Sequence, residues 1–433
     1  MHPSKVAIIG GGVAGLSAAV TLAHAGVSVT VFEASTQLGG RARGITYKNL
    51  MLDNGQHILL GAYRETLRLL ALTAPNASAS LLRLPLSLRV TDLQRNSTLL
   101  LETPKYLPAP LHLLFGLLNA NGLSTKDKWF AIRMMLWMKL YRFQLKHDQP
   151  LSTFLSQQKQ TNTLIQKLWE PLCLAALNTP LQLASAQVFL NVLRDCFNQK
   201  TRDSDLLLAT TDLTSLISTP FANYVTQHRC EVLLNAPVKL ITPQSGGYRI
   251  ATAAQSIDFS HVIIACGPHQ LVQIAGDLPK LHGLVDQFTY QPITTVYLQY
   301  EPHIQLSQAM QGMVNSVSQW VFDRGQLYGQ RGLLAVVISA HTPLKQTQQV
   351  LADNVHQELL GLMPDLKQPL WHKVITEKRA TFSCEAMQNR PHNRTMYKDL
   401  YIAGDYTAGD YPATIEGAVR SGINAANMLL AST

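Results

Sequence analysis

Three glycines in the pattern GxGxxG, Gly10, Gly12 and Gly15, separate two apolar segments near the start of the 433-residue chain. Residues 5–9 (KVAII), just before them, are short and β-branched, which predicts a buried strand. Residues 16–33, after them, predict a helix and then a second strand. In such a unit the first glycine permits a tight turn, the second lets the backbone approach a pyrophosphate, and the third lets the helix pack on the strand. The motif therefore predicts an α/β fold that holds a dinucleotide at a helix N-terminus.

Residues just beyond this motif indicate which dinucleotide it holds. Glu33 ends the second predicted strand, where a carboxylate can accept hydrogen bonds from both ribose hydroxyls of an adenosine. Gly40 and Arg41 follow in the segment LGGRAR, close to the same pyrophosphate. A glycine pair and an arginine at that place suit a cofactor longer than the first unit can hold.

The tail of the chain supplies a second set of candidate contacts. Gly404 and Asp405 end a predicted strand, and an aspartate there can hold a ribityl hydroxyl. Glu416, Gly417 and Ala418 open a predicted helix, whose N-terminus carries partial positive charge that can face a flavin's pyrimidine ring. Because both ends of the chain contact the cofactor in this interpretation, we predict FAD rather than NAD.

The predicted fold class is α/β, with a Rossmann-like FAD-binding domain that is discontinuous in sequence. An α+β substrate domain with a helical, membrane-facing insertion accompanies it. The middle of the chain shows mostly helical periodicity, whereas strand-like segments return near residues 231–268, 293–300 and 333–339. The FAD-binding domain is predicted over 1–75, 211–268 and 390–433, and the substrate domain over 76–210 and 269–389.

The number and spacing of the cysteines indicate the redox state of the compartment and whether a structural metal site is expected. Five cysteines are present, an odd number, and none forms a CxxC pair, which argues against a disulfide framework and a structural zinc site. We therefore expect a reducing compartment and no metal. The N-terminus does not resemble a signal peptide, and no run of 18 or more apolar residues is present.

The formal charge of +9 raises the question of an anionic partner. A helix is predicted from the cap Ser124, with Asp127 three residues on, through the apolar and basic segment that ends near residue 146. The basic residues of one predicted stripe on this helix are Lys128, Lys139, Arg142 and Lys146. A basic stripe on a helix rich in Trp and Phe is typical of an anionic membrane surface, and the alternative is a core helix with one solvated face. We predict a cytoplasmic protein at the inner face of the cell membrane, with no nucleic-acid partner.

Taken together, GGGVAGLSAA, Glu33, LGGRAR and the C-terminal AGD…EGAVRSG resemble the flavin amine oxidase and phytoene desaturase superfamily. Within it, DNGQHILLG (residues 53–61) and YIAGDYTAGDYPATIEGAVRSG are similar to the hydroxysqualene dehydroxylase family of bacterial hopanoid pathways. This resemblance implies an FAD enzyme that acts on a long-chain isoprenoid. The implied reaction removes a hydroxyl from hydroxysqualene and adds a hydride, which gives squalene and water.

The resemblance also assigns positions residue by residue. It implies that Val238 contacts the adenine through its backbone, in addition to the roles given above for the other candidate contacts. Those contacts are Gly10, Gly12, Gly15, Glu33, Gly40, Arg41, Gly404, Asp405, Glu416, Gly417 and Ala418. Amine oxidases of the superfamily carry an aromatic cage residue two positions before the glutamate of the Glu-Gly-Ala segment. Thr414 stands at that position here, which disfavours amine oxidation.

Loss of a hydroxyl requires a proton source in a dry, apolar site. Asp53 and His57 are the catalytic candidates, although Asp53 precedes Asn-Gly and would often cap its own turn. His57 is explained equally well as a core histidine. Tyr406 and Tyr411 are weaker candidates for a hydroxyl that donates the proton.

The direction of electron flow stays open at this point. With one dinucleotide motif, the flavin is expected to take electrons from a diffusing reductant or a redox partner. The alternatives are a desaturase or oxidase of another isoprenoid or a porphyrinogen, and a fold used for binding alone.

Overall fold

The computed structural model describes residues 5–197, 199–276, 278–284, 286–340 and 346–432. Its strands are β1 Lys5–Ile9, β2 Ser28–Phe32, β3 Gly44–Tyr47, β4 Leu50–Asp53, β5 Ile58–Leu60, β6 Leu81–Leu84, β7 Ser87–Asp92, β8 Ser97–Glu102, β9 Leu206–Ala209, β10 Glu231–Leu233, β11 Leu240–Gln244, β12 Gly247–Ala251, β13 Ser256–Phe259, β14 His261–Ile264, β15 Tyr290–Gln299, β16 Met310–Val314, β17 Trp320–Asp323, β18 Leu333–Ser339, β19 Trp371–Phe382 and β20 Leu400–Ile402. Its α-helices are α1 Val13–His24, α2 Arg64–Thr73, α3 Leu111–Asn119, α4 Thr125–Leu140, α5 Leu151–Gln157, α6 Asn162–Leu164, α7 Glu170–Leu177, α8 Ala186–Phe197, α9 Thr219–Gln227, α10 Pro268–Ile274, α11 Arg324–Tyr328, α12 Gln348–Leu360 and α13 Ile415–Leu430.

A five-stranded parallel sheet forms the nucleotide-binding half, with strand order β10-β2-β1-β14-β20. It joins segments from the start, middle and end of the chain, as the discontinuous FAD-binding unit predicted. The carboxyl ends of its strands lie at one edge, so Gly10, Glu33 and Asp405, which follow β1, β2 and β20, lie at that edge. Helices α1 and α13 pack closely together, since a Cβ on Gly422 would lie 2.1 Å from the Ala14 carbonyl oxygen.

A seven-stranded mixed sheet, ordered β19-β15-β18-β17-β16-β7-β8, forms the other half. The two long strands predicted at 293–300 and 333–339 are β15 and β18, which pair antiparallel. The mainly helical interpretation was wrong for residues 81–102, because β6, β7 and β8 lie there. Strand β7 forms a local hairpin with β8, where Asp92 lies opposite Ser97, and it also pairs with the distant β16, where Val90 lies opposite Gly312.

Helices α3 to α8 lie between β8 and β9. Helix α4 begins as predicted: the Ser124 hydroxyl accepts from the Asp127 N–H at 3.2 Å, and the Asp127 carboxylate accepts from the Ser124 N–H at 2.9 Å. It ends at Leu140, however, and Arg142 and Phe143 have left-handed φ values of 52° and 60°. The predicted stripe that continued to Arg142 and residue 146 was therefore wrong. Among the described helices, none combines the length and apolar character needed to cross a membrane.

Candidate functional site

The N-terminus of α1 forms an open cradle at the edge of the parallel sheet. Gly10 has φ +114°, and a Cβ on Gly15 would lie 2.0 Å from the Gly10 carbonyl oxygen, so the turn requires glycine at both positions. A Cβ on Gly12, by contrast, would meet nothing within 4 Å. Gly12 caps α1 without a side chain, and no acidic residue lies in the first turn. The cradle thus exposes helix N–H groups to an open space, which suits a pyrophosphate.

Glu33 borders this cradle. Its carboxylate accepts hydrogen bonds from the Gly11 N–H and the Ser35 N–H, both at 2.7 Å. A carboxylate has about four lone-pair positions, so two backbone bonds leave room for ribose hydroxyls. The position and orientation predicted for adenosine recognition are therefore compatible with the structure.

The second glycine pair lies directly beside the first motif. Gly12 and Gly39 form an isolated parallel bridge, and a Cβ on Gly40 would lie 3.4 Å from the Gly12 Cα. Arg41 follows, and its Nη2 pairs with the Asp405 Oδ2 at 2.8 Å. The candidate contacts from the two ends of the chain thus meet at this ion pair.

Helix α13 carries the C-terminal candidates. Thr414 is its N-cap, and the Thr414 hydroxyl accepts from the Gly417 N–H at 3.1 Å. The Glu416 side chain is fully buried and points to another helix: it accepts from the Thr66 N–H at 2.9 Å and pairs with Arg420 at 2.7 Å. Within the described part of the chain, the Ile415 and Glu416 N–H groups have no hydrogen-bond partner. Any contact of Glu416 and Gly417 with a cofactor would therefore involve backbone, as would that of Ala418 in the same turn.

Val238 lies in an irregular segment between β10 and β11, two residues before the strand in which it was predicted. It is buried, and the N–H of Ala236 in the same segment donates to the Glu33 carbonyl at 2.8 Å. Val238 itself has no backbone hydrogen bond to a described residue. Its backbone groups are thus free to pair with an adenine beside Glu33.

Asp53, by contrast, is enclosed by protein groups. Its Oδ1 accepts from the Leu213 N–H at 3.0 Å, and its Oδ2 accepts from the Tyr328 hydroxyl at 3.1 Å. The Arg324 Nη1 lies 3.4 Å from the same Oδ2. Burial raises the pKa of Asp53, and the positive charge of Arg324 opposes that shift. Both carboxylate oxygens are occupied, which fits a residue that positions its neighbours.

Arg324 is fully buried, and no sequence motif marks it. Its guanidinium donates to the Gln56 Oε1 at 3.1 Å and the Met51 carbonyl at 2.9 Å, and it stacks 3.6 Å from the centre of the Tyr328 ring. The segment that carries Asp53 and His57 is therefore fixed to the seven-stranded sheet through α11.

His57 is half-buried beside this network. Its Nδ1 lies 2.8 Å from the Gly55 carbonyl oxygen, so Nδ1 carries the hydrogen and Nε2 keeps a lone pair. Burial lowers the pKa of His57, the Gly55 carbonyl and Asp53 oppose that shift, and Arg41 adds to it. The Asn54 amide donates to the Arg41 carbonyl at 3.5 Å, so the segment that carries His57 runs beside Arg41.

Tyr406 and Tyr411 differ in their surroundings. Tyr411 donates its hydroxyl to the Asp195 Oδ2 at 2.9 Å, so that hydroxyl is engaged. The Tyr406 hydroxyl is buried and has no partner within the residues described. Burial raises its pKa, and the nearby Cys266 and Asp405 add to the shift. A buried hydroxyl of this kind requires a ligand or water to complete its hydrogen bonding.

Arg390 is a second residue that sequence reasoning missed. Its guanidinium donates to four backbone carbonyls of the segment after β20, and the bond to the Asp405 carbonyl is 2.7 Å long. The other three acceptors are the carbonyls of Tyr406, Gly409 and Tyr411. Arg390 thus holds the loop that presents Asp405.

The thiols and the possible metal ligands were also located. All five cysteines are free thiols, and burial raises the pKa of Cys266 to about 12. Over the described ranges, no group of three or more His, Cys, Asp or Glu side chains is arranged to hold a metal ion.

The open glycine cradle, the ribose carboxylate and the unpartnered Tyr406 hydroxyl fit a dinucleotide that extends toward Asp405. Such a fold and site define a flavoprotein oxidoreductase. The chain belongs to the flavin-containing amine oxidoreductase family, whose model matches residues 13–430. It is an FAD-dependent oxidoreductase.

Similar proteins agree with this placement. Proteins named hydroxysqualene dehydroxylase from Sinorhizobium fredii, Zymomonas mobilis and Rhodopseudomonas palustris are 27%, 28% and 29% identical to the chain. Each alignment covers at least 98% of both sequences. The solved structure of wild-type putrescine oxidase bound to putrescine has a TM-score of 0.73 at 17% identity, and the match covers 99% of each chain. The α/β fold with an FAD-binding unit, the FAD cofactor and the family are thus confirmed, whereas the membrane-facing character of the helical insertion stays a prediction.

Proposed function

We propose that the chain removes the hydroxyl of hydroxysqualene by reduction and forms squalene. The observation that carries the proposal is the end-to-end similarity to three hydroxysqualene dehydroxylases, which leaves no large part of the chain unmatched. Isoprenoid metabolism is the broader assignment that the same similarity supports.

In this reaction the C–O bond of the alcohol breaks, the oxygen leaves as water after it takes a proton, and a C–H bond forms at the same carbon. FAD, once reduced, supplies the hydride that forms this bond. The alcohol carbon gains two electrons, and they come from a diffusing reductant or a redox partner through the cofactor. The chain must therefore hold the cofactor, supply a proton and keep water away from the carbon.

The residues at the site suit the binding of FAD. Gly12, Gly40 and the first turn of α1 would hold the pyrophosphate, and Glu33 would hold the ribose. Arg41 and Asp405 meet farther along the cofactor, where Arg390 keeps the Asp405 loop in place.

We assign the proton to His57. Its Nε2 has no hydrogen-bond partner among the described residues, whereas both oxygens of Asp53 are engaged. Protonation at Nε2 gives an imidazolium that can donate to the departing oxygen. Because burial lowers the pKa of His57, its imidazolium is a stronger acid than an ordinary histidine imidazolium, and it is a minor species at neutral pH. Asp53 then acts as a positioning residue through Arg324.

Thr414 supports reduction of an alcohol over amine oxidation. Its hydroxyl caps α13 and thereby takes a structural role at the position where amine oxidases of the superfamily carry a cage residue. An aromatic side chain there would lose this N-cap.

Anaerobic incubation tests the proposal. Protein with chemically reduced FAD and detergent-dispersed hydroxysqualene should give squalene, identified by gas chromatography and mass spectrometry. The oxidised protein should leave hydroxysqualene unchanged. If the oxidised protein instead dehydrogenates a polyene and the reduced protein is inert, the desaturase alternative is correct. If neither form turns over a substrate although FAD is bound, the proposal fails.

A further inference from the structure

Helix α4 is apolar on two opposite sides. Trp129, Leu136 and Leu140 are spaced by seven and four residues, which places them within about 40° of one another around the helix. They are 62%, 62% and 77% exposed. The opposite side packs into the core through Ala131, Met134 and Met138. An ordinary solvated face would be polar here, so the exposed stripe requires another explanation.

Helix α3 repeats the pattern. Leu111, Phe115 and Leu118 are exposed at spacings of four and three residues, which again places them on one side. The Lys128 ammonium donates to the Leu118 carbonyl at 2.7 Å and joins the end of α3 to the start of α4. This bond brings together the end of α3 that carries Leu118 and the first turns of α4 that carry Trp129. We call the six exposed residues of the two stripes the α3–α4 face.

The surrounding charge is almost entirely positive. Residues 104–147 contain seven basic residues and one acidic residue, a local charge of +6 out of +9 for the chain. The basic residues are Lys105, Lys126, Lys128, Arg133, Lys139, Arg142 and Lys146. The acidic residue, Asp127, is buried and accepts from the Ser124 and Thr161 hydroxyls. None of the seven forms an ion pair with a residue that the structure describes.

We propose that the α3–α4 face binds an anionic lipid bilayer. Trp129, Leu136 and Leu140 lie at the boundary between headgroups and acyl chains, and the basic residues contact anionic headgroups. Charge favours lipid over a second copy of the chain, because a symmetric dimer through this face would bring two +6 regions together. The proposal goes beyond the proposed reaction, since it concerns where the protein works.

This surface differs from the basic stripe that the sequence predicted. Apolar insertion, rather than a row of cations on one helix, is the main attraction, since α4 ends before Arg142. The cations add preference for anionic headgroups.

Vesicle sedimentation of the intact FAD-loaded protein tests the proposal. Wild type should bind phosphatidylcholine vesicles that contain about 30% phosphatidylglycerol by mole. L136Q/L140Q should lower the partition coefficient at least tenfold, and K139E/R142E should remove the preference for the anionic vesicles. The matched control, L370Q/M396Q, replaces apolar residues that are 61% and 60% exposed elsewhere and should bind like wild type.

Fluorescence gives an independent measurement of depth. Brominated lipids should quench the wild-type protein, and W129F should lose most of that quenching. Equal binding of L136Q/L140Q and the control would overturn the proposal, as would a lack of wild-type binding. A wild-type dimer that L136Q/L140Q converts to a monomer would assign the face to a second copy instead. Turnover of detergent-dispersed hydroxysqualene does not depend on this face, so a failed docking test and a failed reaction are distinguishable.

Discussion

The Arg41 guanidinium and the Asp405 carboxylate form an ion pair of 2.8 Å although 364 residues separate them in the chain. Asp405 is buried and Arg41 is partly exposed. Burial by itself lowers the pKa of Arg41, but the Asp405 charge outweighs that effect and raises it. The pair therefore links the two terminal segments at the place where both were expected to contact the flavin.

Two glycines of the first motif should respond differently to the same substitution. Gly12→Ala adds a methyl group to open space at φ −75°, so the protein should fold normally while FAD affinity falls more than tenfold. Gly15→Ala forces a Cβ to within 2.0 Å of the Gly10 carbonyl oxygen and should prevent folding. Thermal melting of the apoprotein and flavin fluorescence titration measure the two effects. Normal FAD affinity in folded Gly12→Ala would contradict the cradle.

Arg390 should matter for flavin binding although no sequence motif includes it. Arg390→Gln removes the donor to four carbonyls, of which those of Asp405, Tyr406 and Tyr411 belong to buried residues. A buried carbonyl left unpaired costs about 1–3 kcal/mol. We expect a lower melting temperature and weaker FAD binding. Arg249→Gln is the matched control, because it breaks an exposed ion pair with Asp258 and should change neither quantity.

Substitutions of Asp53 and His57 should have different effects on turnover and stability. His57→Ala should keep FAD bound and lower turnover by roughly 10²–10⁴-fold, the range for loss of a general acid. Asp53→Asn should reduce melting temperature and flavin content along with activity, because Arg324 and the Leu213 N–H lose a charged partner. Turnover by wild type should also rise as pH falls toward the lowered pKa of His57. An unchanged rate in His57→Ala would assign the proton to another group.

Stability should decline on mild acidification. Burial lowers the pKa of His57, His112, His261, His269 and His356 below the usual 6.5. The folded state then binds fewer protons than the unfolded state below pH 6.5, so the free energy of unfolding falls as pH falls. Each such histidine contributes up to about 1.4 kcal/mol per pH unit in that window.

Denaturant unfolding at several pH values between 7.5 and 5 measures this slope. His112→Gln should reduce it, because His112 is fully buried. The exposed His303→Gln should leave it unchanged. A slope that is identical in both variants would show that burial of His112 does not control its protonation.

Local patterns were sufficient for the nucleotide-binding half. The first β-α-β unit and the start of α13 followed from apolar periodicity and glycine spacing, and the structure has them at the expected places. The β7–β8 hairpin was missed because periodicity alone does not distinguish a short apolar run, such as LLL at 99–101, from part of a helix. The pairing of β7 with β16 joins residues more than two hundred positions apart. The early end of α4 at Leu140 was missed because the left-handed conformations of Arg142 and Phe143 have no glycine to mark them. Arg324 and Arg390 act through contacts that exist only after folding.

Isotope transfer tests whether the flavin hydride reaches the alcohol carbon. The protein with chemically reduced flavin is equilibrated in deuterated water, where the exchangeable N5 hydrogen becomes deuterium. Hydroxysqualene is then added, and the squalene is analysed by mass spectrometry and NMR. Direct transfer requires the flavin N5 nitrogen and the alcohol carbon to lie within about 3–3.5 Å of each other. We predict one deuterium in squalene, at the carbon that carried the hydroxyl. Squalene without deuterium at that carbon, or no squalene from the reduced protein, would contradict the proposed reaction.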